Sequence, residues 1–430
     1  MSAQLDPLKP RAPRMDSVDL LRGVIMIIMA LDHVRDFWSD QLNKVEPTDM
    51  ANTSVALFLT RWITHYCAPN FMFLAGTGAF LSRTRGKSKS ELSWFLLTRG
   101  LWLVFLEVTF IRGTWMFNWD PLHHGAGVFW AIGWSMVVLS VLVYLPVWAI
   151  TTFGVVMILS HNLLDTVTPE QVHMPEWLWM ILHYEVKQDP TIFTIPENLW
   201  HSLHSTYHPP IDEVGHVTFS TNYHVIPWCG VMAAGYGFGT VLQLDRETRR
   251  RILLTLGGML TLAFFVVRGI NHYGDPRHWE VQPRGVEFTI CSFLNCTKYP
   301  PSLCYLLMTI GPAIFFLGLF DRPLGALAKP IIIFGRVPLF FYFLHIPLIH
   351  GGIVLLDHWR YGWSPQSFIG PWAVTPEFHD SLKQQGLHGY GVDLLTVYLL
   401  WICAVVILYF PCRWFAGVKQ RNRSAWLSYL

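Results

Sequence analysis

The chain has 430 residues, of which 52% are apolar or aromatic and only 14% are charged. Soluble domains carry ~25% charged residues, so this composition excludes a string of soluble domains, and equally a disordered or collagen-like chain. A formal net charge of +2, with no densely basic loop, gives no nucleic-acid footprint. What remains is an all-α, polytopic membrane helix bundle.

A membrane-spanning helix needs about 20 mostly apolar residues. Ten segments meet that approximately: 17–37, 55–81, 92–112, 127–144, 147–163, 222–243, 252–268, 301–320, 331–356 and 392–411. The fourth and fifth share one apolar run. It is divided at Leu145–Pro146, because one unbroken helix over 127–163 would overshoot the bilayer. The run Trp177–Tyr184 is too short to span; it is predicted to be interfacial or re-entrant, and counting it would give eleven segments. Residues 1–16 are polar and basic, and the apolar run after them lacks a small-residue cleavage site, so the first span is expected to be retained. The whole chain, 1–430, reads as one transmembrane domain with extended outer loops at about 164–221, 269–300 and 357–391.

Lys and Arg set the expected orientation. The segments 1–16, 82–91, 244–251, 321–330 and 412–430 hold 17 basic residues; the alternate set, 38–54, 113–126, 164–221, 269–300 and 357–391, holds 7. Both termini are therefore expected in the cytoplasm. Histidine is distributed the other way. None of the 19 lies in an inner segment, and eight fall between His161 and His224. His201, His204 and His208 have helical spacing, but no Cys or carboxylate sits among them to complete a familiar ligand set, so no metal is predicted. Seven cysteines include no CxxC pair; Cys291 and Cys296 fall outside, where a disulfide is permitted.

The first span carries the most chemistry. Ionisable groups are costly in a membrane and mark functions or structural pairs. Asp19 and Arg22 lie near its inner end; Asp32, His33, Arg35 and Asp36 lie near its outer end. Steps of three and four put Arg22, Met26, Met29 and His33 on one face, with about 16 Å between Arg22 and His33 along the axis. That line could hold an elongated ligand, its anionic end low and its reactive end high. Asp32 is adjacent to His33 and does not share its face. Arg61 and His65 share a face of the second span, before Pro69 and Asn70. Arg99 and Glu107 lie in the third, Arg268 and Asn271 end the seventh, and Arg336 and His345 are nine apart in the ninth. Together they predict a polar cavity inside the bundle.

These residues also carry a resemblance. SVDLLRG (17–23) followed by MALDHVRDFW (29–38), CAPNFMFLAGTGAFL (67–81), TKYPPSLCYLLMTIGP (297–312) and FGRVPLFFYFLHIPLIH (334–350) resemble, in order, bacterial relatives of heparan-alpha-glucosaminide N-acetyltransferase. The resemblance is weakest in 160–220 and after 357. It implies a transmembrane acyltransferase that takes an acetyl group from cytoplasmic acetyl-CoA and passes it to an amine or hydroxyl of an envelope or periplasmic sugar, with a catalytic histidine. In the animal enzyme that histidine lies in a loop beyond the first span. Here the loop 39–54 has none, and a histidine stands instead within LDH. The role therefore passes to His33 by chemistry: a neutral imidazole is a good proton carrier near pH 7.

Acyl transfer from a thioester needs a base for the acceptor and donors for the developing oxyanion. His33 is the candidate base, with Asp32 beside it and Arg61 or His65 as orienting or oxyanion groups. Arg22, Arg99 and Arg336 lie in the inner half of the expected topology and are the candidates for the phosphates of acetyl-CoA. Asn295, Tyr299 and His345 are assigned to the acceptor side. Direct transfer and a two-step route through an acetyl-histidine both suit these residues; direct transfer needs fewer assumptions. A secondary transporter of a polar or anionic solute also suits ten proline-interrupted spans with buried charges, but no inverted repeat relates 1–160 to 222–411. A lipid-binding scaffold explains the composition and leaves His33 and the inner arginines without work. The partners implied are acyl-CoA, a sugar or glycan acceptor and the lipid bilayer, without nucleic acid; a homo-oligomer is compatible with the chain.

Overall fold

The first helix, α1 (Asp16–Trp38), runs through the interior. Asp16 and Asp19 in its first turn and Arg35 in its last complement the helix dipole. Ile25, Met26 and Ala30 along its middle are almost fully buried. The computed structural model describes residues 15–117, 123–183, 191–194, 216–362 and 370–422, together with Ser424 and Leu427. The histidines at 201, 204 and 208 lie outside the described residues.

Three expected spans are each made of more than one element, and proline chemistry explains two of the breaks. The second expected span divides into α2 (Val55–Thr64) and α3 (Cys67–Thr84). Pro69 has no N–H and cannot serve the carbonyl four residues back, that of His65; the Tyr305 hydroxyl donates to that carbonyl instead, at 2.8 Å. The third continues α4 (Lys89–Leu106) through a π-turn, Glu107–Ile111, into α5 (Arg112–Met116). The ninth is α13 (Ala328–Arg336) followed by α14 (Pro338–Tyr361), numbered after the helices given below. Pro338 starts α14, where a missing N–H is tolerated, whereas Pro347 lies inside that helix.

The remaining elements follow in order: β1 (His123–Ala126), α6 (Val128–Leu142), α7 (Val147–Ser160), α8 (Glu176–Leu182), β2 (Thr191–Thr194), β3 (His216–Thr221), α9 (Val225–Phe238), α10 (Arg246–Ile270), α11 (Val286–Leu294), α12 (Leu303–Leu319), then α15 (Pro376–Gln384) and α16 (Leu394–Arg421). The break between α6 and α7 falls at the expected place, with Pro146 capping α7. The short run at 177 forms the seven-residue α8. The strands form a small sheet in the order β1-β3-β2, β1 parallel and β2 antiparallel to β3, an addition to the expected all-helical bundle.

Among the described residues, six helices are long and apolar enough to cross a membrane: Lys89–Met116, Val147–Leu164, Val225–Gln243, Arg246–Ile270, Pro338–Tyr361 and Leu394–Arg421; Val128–Leu142 and Leu303–Leu319 are shorter and apolar. The chain is inside-out relative to a soluble protein. Trp148, Ile270 and Leu395 are about 70% exposed, while Asp32, Arg35, His65 and Arg268 are buried. Cross-packing is close where α1 meets α13: a Cβ at Gly23 would collide with the Ile331 carbonyl, and one at Gly335 with the Asp19 carbonyl. Small residues permit such backbone approach between membrane helices.

The segments between helices are tied down by side chains. Arg268 donates to the carbonyls of Phe293, Arg277, Ser292 and Asn295, and so folds the 271–300 segment. It serves that segment rather than a cavity, contrary to expectation. Asn295 belongs to the same knot: its amide donates to the Thr48 carbonyl at 2.9 Å and accepts from Arg277 at 3.2 Å. Cys291 and Cys296 are buried free thiols, not a disulfide.

Candidate active site

A cavity of about 670 Å³ opens at the His33 end of α1. Each wall comes from a different element. Met29, Asp32, His33 and Asp36 come from α1; Arg61 and Thr64 from α2; Cys67, Ala68 and Phe71 from α3. Glu107 comes from the π-turn, Arg112, Trp115 and Met116 from α5, Tyr342 from α14, and Tyr223, Lys298 and Tyr299 from the connecting segments. A second cavity of about 360 Å³ shares Asp36, Leu42, Asn43 and Arg61 with it and is lined further by Arg35, Gln41 and Glu46. The two form one polar approach past the 39–54 segment. Asn43, in a left-handed conformation, holds that segment by donating to the carbonyls of Pro371 and Val374.

His33 and His345 meet. Their Nδ1 and Nε2 atoms are 2.6 Å apart, with the rings 26° from coplanar and the centroids 4.8 Å apart, as an in-plane N–H···N bond requires. The partners assign the tautomers. His345 Nδ1 faces the Tyr342 carbonyl at 2.7 Å and the Phe341 carbonyl at 3.2 Å. Carbonyls only accept, so Nδ1 of His345 carries the proton and its Nε2 a lone pair. His33 must then donate from Nδ1, which leaves the lone pair on its own Nε2. The Trp115 ring meets the His33 ring edge-on at 5.0 Å and Tyr342 does so at 6.2 Å, fixing the imidazole plane.

Asp32 does not touch His33. Its carboxylate lies 2.6 Å from Arg61 and 2.9 Å from Arg35, and Arg35 also bonds Asp36. This buried network joins α1 to α2 and holds the Arg61 guanidinium at the cavity wall. His65 lines neither cavity: it is buried at the α2–α3 break, packed edge-on against Tyr305 at 5.4 Å. Glu107 gives one carboxylate oxygen to the Gly127 N–H at 3.0 Å and the other to the Phe129 N–H at 2.9 Å, capping the start of α6.

Two of the three arginines assigned to CoA meet at one carboxylate. Arg22 and Arg336 both approach the Asp19 carboxylate, at 4.0 and 3.6 Å, and Arg336 also pairs with Asp16. Arg99 sits on α4 with its guanidinium 5.8 Å from the Phe95 ring. The described cavity reaches Met29 but not Arg22; Met26, 1% exposed, is packed in the core between them. The face from Arg22 to His33 exists as spaced, but core side chains fill its middle.

Lys298, Tyr223, Arg112 and Trp115 line the cavity although no sequence pattern singles them out. Lys298 stands within TKYPP beside Tyr299, and its charge close to an apolar run is the signal that sequence carries. Trp115 was hidden among 20 tryptophans. Tyr299 does line the cavity, with its hydroxyl 3.5 Å from that of Tyr223.

An apolar exterior around a cavity with ion pairs and a histidine pair defines a multi-pass helical membrane protein with an internal polar cavity. Residues 14–269 match the family model described as heparan-alpha-glucosaminide N-acetyltransferase, catalytic, and the chain belongs to that family, a family of transmembrane acetyltransferases. The matched region includes His33, Arg61, Glu107 and Tyr223 and ends before Lys298, Tyr299 and His345. No curated protein matches the chain.

Proposed function

We propose that this protein moves an acetyl group from cytoplasmic acetyl-CoA to an amine or hydroxyl of a sugar or glycan on the outer side of a bacterial inner membrane, with His33 as general base. The observation that carries the reading is the hydrogen-bonded pair of His33 and His345, backed by the Tyr342 carbonyl. A histidine with its Nδ1–H engaged and its Nε2 lone pair unshared is arranged to accept a proton. Family membership supports the acetyl group as the cargo.

In this reading ten spans cross the membrane, both termini are cytoplasmic, and the 39–54 segment faces out. The acceptor approaches through the smaller cavity. The acetyl end of the donor enters the larger one, whose volume lies in the range of small-molecule sites. His33 Nε2 takes the acceptor proton. His345 acts as a positioning residue that stabilises the imidazolium, and Arg61, held by Asp32, fixes the wall opposite. Tyr299 contacts the acceptor. Asn295 acts at one remove, through the segment it ties to Thr48. Arg22, Arg336 and Arg99 attract the phosphates of CoA at the inner surface, and the core packed around Met26 parts to let the acetyl arm pass from there to His33. Direct transfer is favoured, since a second basic histidine is present but its own lone pair is used on His33.

Acetyl transfer and acetyl-CoA affinity, compared for His33→Ala and His65→Ala, test the assignment. His33→Ala is expected to lose about 10²–10⁴-fold in turnover with acetyl-CoA still bound. Near-normal turnover in His33→Ala, with the loss in His65→Ala, would move the base to the α2–α3 break.

A further inference from the structure

Lys298 lines the larger cavity, and among the described residues no carboxylate lies within ion-pair distance of it. Its cationic neighbours differ. Arg61 is matched by Asp32 at 2.6 Å, and Arg35 by Asp32 and Asp36. A half-buried ammonium with no described carboxylate within ion-pair distance is suited to negative charge that arrives or develops beside it. Its backbone is held firmly. Asp275 accepts from the Thr297 N–H and hydroxyl, both at 2.9 Å, and from the Ser302 hydroxyl at 2.6 Å, clamping both ends of the 297–302 turn. The ammonium lies 5.0 Å from the centre of the Tyr299 ring. Burial raises the Tyr299 phenol, but Lys298 and Arg61 outweigh burial and hold it below its ordinary value. A phenol so placed is a strong hydrogen-bond donor.

We propose that Lys298 and the Tyr299 hydroxyl form the oxyanion site of the transfer, on the wall of the cavity that His33 also lines; this rests on the acyl-transfer reading above. The acceptor's nitrogen or oxygen lone pair bonds to the acetyl carbonyl carbon as His33 Nε2 removes its proton. The C=O π pair moves onto the oxygen, which accepts from Lys298 and Tyr299. When the C=O bond re-forms, the C–S bond breaks, and the sulfur leaves as a thiolate that takes the proton from His33. Nothing is oxidised or reduced, and no further reactant is needed.

The test uses the purified full-length protein in detergent, acetyl-CoA as donor, glucosamine as the acceptor probe, and thiol release as readout. Lys298→Met is expected to lower kcat by about 10²–10³-fold while acetyl-CoA affinity and the glucosamine KM stay within about twofold. Lys298→Arg is expected to restore part of the rate. Tyr299→Phe, which keeps the ring, is expected to lower kcat with an unchanged thermal midpoint, and it stands in for Lys298→Met should that variant not fold. Undiminished kcat in a folded Lys298→Met or Tyr299→Phe protein overturns the inference, as does a loss that appears wholly as weaker binding of either substrate. Wild-type protein that releases no thiol, with glucosamine or with water, overturns the acyl-transfer reading along with it.

Discussion

The Tyr305 hydroxyl, from α12, donates to the His65 carbonyl at the break between α2 and α3, at 2.8 Å. Pro69 leaves that carbonyl without its helical donor, so the phenol completes the backbone where two helices join. Tyr305→Phe keeps the fully buried ring and removes the donor. It is expected to cost about 1–3 kcal/mol, seen as a lower thermal midpoint in detergent. Adding Pro69→Ala should recover part of the loss, because residue 69 then supplies an N–H. An unchanged midpoint in Tyr305→Phe would mean that the carbonyl has another donor.

That break shows what sequence could and could not reveal. Pro69 announced an interruption in the 55–81 run, and Pro146 announced the end of α6, because proline acts on its own backbone. The partner that heals the first break comes from a residue 240 positions away, and no local pattern encodes it. The same division holds at the site. His33, Arg61 and Tyr299 were legible as polar groups in apolar surroundings, and all three line the cavity. The pairing of His33 with His345 was not, since it depends on how α14 crosses α1. Charge spacing suggested a role for Asp32 near His33, yet its carboxylate turns to Arg61 because adjacent helical residues point about 100° apart. Asn295 and Arg268 looked like cavity residues for the reason His33 did; long-range backbone carbonyls claim them instead.

The Asp32–Arg61 pair provides a second expectation. Both side chains are mostly buried, at 11% and 16% exposure. Removing one partner of a buried pair leaves an uncompensated charge, which typically costs about 3–5 kcal/mol. Asp32→Asn should therefore destabilise the protein by that order, since Arg35 keeps Asp36 but Arg61 keeps no carboxylate in the network. The double variant with Arg61→Gln should be less destabilised than the two single losses combined. Additive melting shifts would show that the pair does not couple α1 to α2.

Topology is open to direct labelling. In a variant with the exposed Cys403 replaced by Ser, single cysteines at Lys87 and Glu170 occupy exposed positions on opposite sides of the expected membrane. An impermeant thiol reagent applied to intact cells should label position 170 and spare position 87. Labelling at 87 with none at 170 reverses the orientation and puts His33 on the cytoplasmic side.

His345 gives the prediction that separates positioning from packing. Its Nε2 accepts from His33 while its Nδ1–H donates to the Tyr342 carbonyl, so it holds the His33 tautomer whose Nε2 is free to act as base. His345→Ala removes that orientation and leaves the base itself in place. Turnover should fall by about 10–100-fold, as for other residues that orient a reacting group from behind, with substrate affinities little changed. His345→Gln can accept through its carbonyl oxygen and donate through its amide, so it should recover rate where Ala does not. The pH profile carries the second readout. Losing an aligned acceptor removes a group that favours the imidazolium of His33, so the rising limb of kcat/KM should shift between wild type and His345→Ala and move back in His345→Gln. If Gln is as slow as Ala, and the limb stays fixed in both, His345 is a packing residue and His33 is held by Trp115 and Tyr342 alone.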